Sequence, residues 1–181
     1  MEAWRMNKPE GWRVPVHLES IPDSGTHLEL DADDEVRSKL AAAAGLLGVT
    51  RLHASVDLTR RGEGLRASGQ VRATIGQTCV VSLEPLENTV DEAFDVLFLP
   101  PELVVDPSAV TGPVVEAVDD TRETLVDGIA DIGAVAAEFF LLGIDPYPRK
   151  PGAVFAAPVE DHAADSPFAV LAKLKPPADK S

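Results

Sequence analysis

The sequence predicts an α+β fold: an antiparallel, strongly curved or barrel-like sheet with two or three helices packed against it and a short C-terminal helix. Three observations carry that reading. Apolar and polar residues alternate with a period of two through much of the first hundred positions, the mark of half-buried antiparallel strands. Two later-ripening patterns, after Asp33 and after Asp131, have helical spacing behind a capping aspartate. Finally, 181 residues with 45% hydrophobic content suit one folded domain. The expected layout is a flexible N-terminus (1–13), a single core domain (14–155), a flexible linker (156–165), a docking helix (166–175) and a tail (176–181).

Taken in order, Val14, Val16 and Leu18 form a short alternating strand, and Leu28 and Leu30 another after the turn-forming Pro22-Asp23-Ser24-Gly25. Asp33-Asp34-Glu35 then places acids at the positive end of a helix that should bury Val36, Leu40, Ala43 and Leu47 and stop near Gly45 or Gly48. The clearest hairpin follows. Leu52, Ala54, Val56 and Leu58 alternate with polar partners, as do Ala67, Gly69, Val71, Ala73 and Ile75, and Arg60-Arg61-Gly62-Glu63-Gly64 joins the two runs. A further strand spans Val90 to Leu99, with Phe94, Val96 and Phe98 on one face, and ends at Pro100-Pro101. The acidic stretch from Glu102 to Asp127, broken by Pro107 and Pro113, reads as irregular or partly extended.

A second helix should start at Asp131 as N-cap and run to Gly143. It is apolar around almost its whole circumference, as a core helix is. The chain then passes through Asp145-Pro146-Tyr147-Pro148-Arg149, a strap whose prolines hold the backbone extended. Beyond the linker, Ser166 is a good N-cap and Pro167 a good first helical residue. Phe168, Leu171 and Leu174 then give a short apolar stripe, and a helix of this length is marginal alone and must dock.

Charge limits function. The net charge of −14 opposes a general RNA or DNA coat, since such binding rests on Lys and Arg contacts to phosphate. Yet Arg51, Arg61, Arg66 and Arg72 fall on one face of the predicted hairpin, so an acidic chain still presents one candidate face for RNA or an acidic partner. No Phe, Tyr or Trp lies between Arg13 and Glu92 to stack on a base, which counts against sequence-specific recognition of single strands. The same arginines also deter edge pairing on a solvated strand face.

No Gly-x-Ser-x-Gly elbow, phosphate loop, dinucleotide fingerprint or metalloprotease helix occurs, and no catalytic residue or cofactor is expected. His53, Ser55 and Asp57 invite a triad reading. Alternate strand positions, however, stand about 6.6–7 Å apart, too far for a direct relay. Asp119-Asp120 and Asp127 with Asp131 read as surface acids or caps. Met1-Glu2-Ala3-Trp4-Arg5 carries no apolar signal run and no long uncharged apolar segment follows, so a cytoplasmic protein with no membrane partner is expected. The single cysteine, Cys79, cannot form an internal disulfide.

Three stretches together resemble the YceD family of large ribosomal RNA subunit accumulation proteins: Gln77-Thr78-Cys79-Val80-Val81-Ser82-Leu83-Glu84-Pro85, Asp131 through Pro148, and Ser166-Pro167-Phe168-Ala169-Val170-Leu171-Ala172-Lys173-Leu174-Lys175. The resemblance implies a bacterial, cytoplasmic, non-enzymatic factor in ribosome biogenesis. Its partner would be ribosomal RNA or a basic ribosomal protein, the alternative being a protein–protein adaptor without RNA contact. Many members carry Cys-x-x-Cys where this chain has Cys79-Val80-Val81-Ser82. With one thiol, and with His17, His27, His53 and His162 at no ligand spacing, no metal is expected.

Overall fold

The computed structural model describes residues 11–104 and 121–155. Among the described residues, seven strands and two α-helices follow one another as β1 (Pro15–His17), β2 (Thr26–Asp31), α1 (Asp34–Ala43), β3 (Gly48–Arg61), β4 (Gly64–Thr78), β5 (Pro85–Leu99), β6 (Thr121–Thr124), β7 (Ile129–Asp131) and α2 (Ile132–Leu142). Five strands make one sheet in the order β2-β3-β4-β5-β6, and β1 pairs with β7 in a separate ribbon. The fold is α+β, as expected. Its sheet is open, with β2 and β6 at opposite edges, and does not close into the expected barrel-like form.

The alternation does what its period requires. Leu52, Ala54, Val56 and Leu58 on β3 are buried, as are Leu65, Ala67, Val71, Ala73 and Ile75 on β4. Phe94, Val96 and Phe98 extend the same inner face onto β5. The strands are longer than the sequence suggests: β3 pairs with β4 out to Arg61↔Gly64, leaving a two-residue turn. A register shift between Val49 and Arg51 keeps Val49 inside and turns Arg51 out with His53.

Against this inner face lie α2, which touches β4, β5 and β1, and α1, which touches β3. Asp131 caps α2 by accepting from Ala134 N–H at 3.2 Å, and also accepts from Val14 N–H at 3.0 Å, fastening the helix start to the N-terminal ribbon. The apolar circumference of α2 is explained by its position: Ile132, Val135, Ala136, Ala137 and Phe140 are all buried, and Phe139 packs on Phe94 with ring centres 5.3 Å apart. Trp12 is buried too, so packing begins ahead of Val14.

One further expectation needs correction. Ala43 and Leu47 are exposed rather than buried, Leu47 at 62%. Gly45 takes a φ of +65 that ends α1, and the chain turns so that Leu47 N–H donates to Gly76 C=O at the end of β4. The acidic stretch after Glu102, expected to be irregular or partly extended, includes the short strand β6, which pairs in parallel with β5 at Val96↔Thr121 through Leu99↔Thr124. The expected C-terminal helix, with Phe168, Leu171 and Leu174, lies outside the described residues.

Candidate binding surfaces

The pairing register sorts the outward side chains into rows that cross the sheet. Asp31, His53, Arg72 and Asp91 form one row, and Arg51, Thr74 and Thr89 the next. Residues 51, 61, 66 and 72, the predicted arginine set, all lie on this outer face. They do not form one patch: Arg51 and Arg72 sit near one end of the hairpin, Arg61 and Arg66 near the other.

Two of the four are engaged. Arg66 forms a two-pronged bond to Asp95, its Nε donating at 2.7 Å, and the guanidinium holds the Asp95 carboxyl below its ordinary range. Arg72 meets Asp91 at 3.4 Å and donates to Gln70 Oε1 at 2.6 Å, while Gln70 in turn donates to Asp91. Among the described residues Arg51 and Arg61 form no close ion pair, although the Arg61 charge adds to the lowering of the Asp95 carboxyl. Arg51, His53, Arg72, Thr74, Thr89 and Asp91 line an open hollow of about 500 Å³.

Beside the arginines, at the β2 edge, runs a chain of alternating imidazoles and carboxylates that the sequence reading did not find. Asp57 meets His27 Nδ1 at 2.8 Å, and His27 Nε2 meets Glu29 at 2.8 Å. The other Glu29 oxygen meets His53 Nε2 at 2.8 Å, and His53 Nδ1 meets Asp31 at 2.9 Å. Each ring has a carboxylate at both nitrogens, which a protonated imidazole satisfies with two N–H donors. The Glu29 and Asp57 carboxylates raise the pKa of His27, and the His27 ring lowers that of Glu29. His53 therefore faces Asp31 and Glu29 and not Asp57, and Ser55 donates to Glu29 at 3.2 Å, so the three triad-like residues are not aligned as a relay. The period of two placed these side chains on one face. Only the β2–β3 register brings them together.

The second assembly is at the far end of the sheet. There the loop from Cys79 to Glu84 joins β4 to β5, and the proline strap Asp145–Lys150 crosses beside it. Val80 N–H donates to Pro148 C=O at 2.9 Å, and Gln77, a buried polar side chain, donates to Asp145 C=O at 2.8 Å while accepting from Asn88. Gly143 starts the strap where a Cβ would lie 2.4 Å from Glu92 Cγ and 2.6 Å from Val90 Cγ1, so the turn sits hard on β5. Lys150 pairs with Glu84 at 2.9 Å and lowers its pKa.

Cys79 is a structural member of this joint. Its buried Sγ accepts from the backbone N–H groups of Lys150 and Ser82, each at 3.4 Å, and these donors lower the thiol pKa to about 6. Among the described residues no group of three or more His, Cys, Asp or Glu is arranged to hold a metal ion. Tyr147 and Arg149 of the strap are exposed, and Pro148 is buried.

The loop, strap and α2 fall within a match to the family model for the large ribosomal RNA subunit accumulation protein YceD, which covers residues 67–175, more than half of the chain. The chain belongs to the YceD family. No curated protein and no solved structure matches it. Among the described residues no helix is long and apolar enough to cross a membrane.

Proposed function

We propose that this YceD-family chain is a non-enzymatic ribosome-biogenesis factor of the bacterial cytoplasm that supports large-subunit rRNA accumulation by holding a basic ribosomal protein. The observation that carries this reading is the charge balance of the outer face: Arg66 and Arg72 are occupied by Asp95 and Asp91, while acids gather at the β2 edge. Ala32 N–H bonds Leu52 C=O, so by alternation the backbone N–H groups of His27, Glu29 and Asp31 point away from β3. An extended Lys- or Arg-rich segment laid along this edge would meet backbone partners and carboxylates together. Charge complementarity with a chain of net charge −14 supports the same partner class.

Direct rRNA contact is the second reading, and Arg51 beside the open hollow favours it. The two separate in one experiment. Binding of a basic large-subunit ribosomal protein and of rRNA is measured at fixed salt for the wild type, for Glu29→Gln with Asp31→Asn, and for Arg51→Ser with Arg61→Ser. The acid variant should lose the ribosomal protein, in the presence of RNase as in its absence. Loss of rRNA binding in the arginine variant, with protein binding intact in the acid variant, would replace the escort reading with the RNA reading.

A further inference from the structure

The loop–strap joint leaves large apolar side chains in water. Of the exposed large hydrophobic residues among those described, Val80, Leu83, Tyr147, Val154 and Phe155 all belong to the Cys79 loop or to the strap and its continuation. Leu83 is 76% exposed, Tyr147 71% and Phe155 72%. The two segments that carry them are stitched together by the Val80–Pro148 bond, the Lys150–Cys79 bond and the Lys150–Glu84 pair, and Ala153 N–H bonds back to Lys150 C=O. Leu83 has a φ of +58, a strained conformation for an apolar residue that persists where the surroundings impose it. Large apolar side chains exposed on two segments bonded to each other mark a site that something covers.

We infer that the cover is the chain's own segment Ser166–Lys175, laid on the corner through Phe168, Leu171 and Leu174. The described chain leaves the body at Phe155, inside the apolar corner itself. The next ten residues, 156–165, reach at most about 33–36 Å, enough to bring the segment onto the corner from any side. A tether of that length holds the segment at an effective concentration in the millimolar range, so a weak apolar contact suffices. The segment spaces its apolar residues at i, i+3 and i+6, a pattern that needs a surface to bury against. Lys173 lies within that stripe and Lys175 just beyond it, and the start of β5 and the strap carry the exposed acids Glu87 and Asp145 beside the Glu84 that pairs with Lys150. The family match also runs unbroken through loop, strap and segment.

The test uses the purified full chain with no partner present. Amide exchange over Val80–Glu84 and Tyr147–Phe155 is compared among the wild type, Leu83→Asp, Phe168→Asp, the milder Phe168→Ala and the Leu83→Asp/Phe168→Asp double variant. Solution mass is followed at two concentrations, and far-UV circular dichroism checks the fold. Either aspartate should speed exchange at the corner by about tenfold, the alanine by less, and the double variant no more than a single one, with monomer mass throughout. Exchange unmoved by both Phe168 variants would overturn the assignment. So would protection that fades on dilution, because the cover would then be a second copy of the chain.

Discussion

On the outer face of the sheet the charged side chains from β2 to β5 largely meet opposite charges, whereas at the loop–strap corner large apolar side chains stand in water above a network of backbone bonds. The difference lies in how each surface is made. Outer-face residues come from paired strands, where the register brings Arg66 to Asp95 and His27 to Asp57 without any loop having to be ordered. Such exposed pairs satisfy one another and contribute little net stability. The corner is built from two connecting segments far apart in sequence, fixed by bonds such as Lys150 N–H to Cys79 Sγ, and its apolar side chains are surplus to the core. A self-satisfied polar face suits reversible, salt-sensitive contact. An unsatisfied apolar corner suits a permanent cover.

The largest expected effect lies in the core, where α2 packs on the sheet. Phe140 is fully buried on α2, and Phe140→Ala should cost about 4 kcal/mol in denaturant unfolding and loosen strap and sheet alike. Gly143→Ala should cost about 2 kcal/mol, since its Cβ would press on Val90 of β5. Its sharper signature is chemical. Lifting the strap withdraws the Lys150 N–H from Cys79, and the thiol pKa should rise from about 6 toward its ordinary value, read by thiolate absorbance against pH. An unchanged Cys79 titration in a folded Gly143→Ala protein would separate the strap from the loop.

On the outer face the expected effects are smaller. Arg66 and Asp95 are each 41% exposed, so Asp95→Asn should cost no more than about 1 kcal/mol despite the two-pronged geometry, and raised salt should shrink that difference. A loss well above this would mean that the pair is part of the sheet's framework and not a surface ornament of β4 and β5.

How far the sequence disclosed these two regions follows from the range of the interactions. Period-two alternation settled which side of β3 and β4 faces the core, and Asp131 as a cap located α2 from its own first turn. The outward position of all four arginines was legible for the same reason. Their partners were not, because Asp91 and Asp95 meet Arg72 and Arg66 through the β4–β5 register, which depends on pairing across the Cys79 loop. The His27–Glu29–His53 chain was hidden likewise by the β2–β3 register. The stretch that holds β6 is legible only as partly extended, because a four-residue parallel edge strand carries too short a pattern to fix its bounds or its partner. Helical spacing points Leu47 at the core only if the helix continues past Gly45, and it ends before that residue.

The smallest expected effect is also the most diagnostic of the outer face, since it separates a working ion-pair chain from adjacent but independent side chains. His27 has its pKa raised by Glu29 and Asp57, so its contribution to stability is complete below its ordinary value of 6.5 and is lost as pH climbs through the higher folded value. Glu29 is lowered by His27, so its contribution is complete above 4.5 and is lost as pH falls through the lower folded value. Both contributions coexist between 4.5 and 6.5, and the chain should be tightest in that window. Glu29→Gln removes the shared carboxylate while keeping its shape. The His27 titration midpoint, followed by NMR, should then fall toward 6.5, and the stability difference between wild type and variant should narrow above the wild-type midpoint. A His27 midpoint that stays where it was would show that Glu29 does not help to hold the proton on His27, and that β2 carries separate charged pairs in place of a continuous chain.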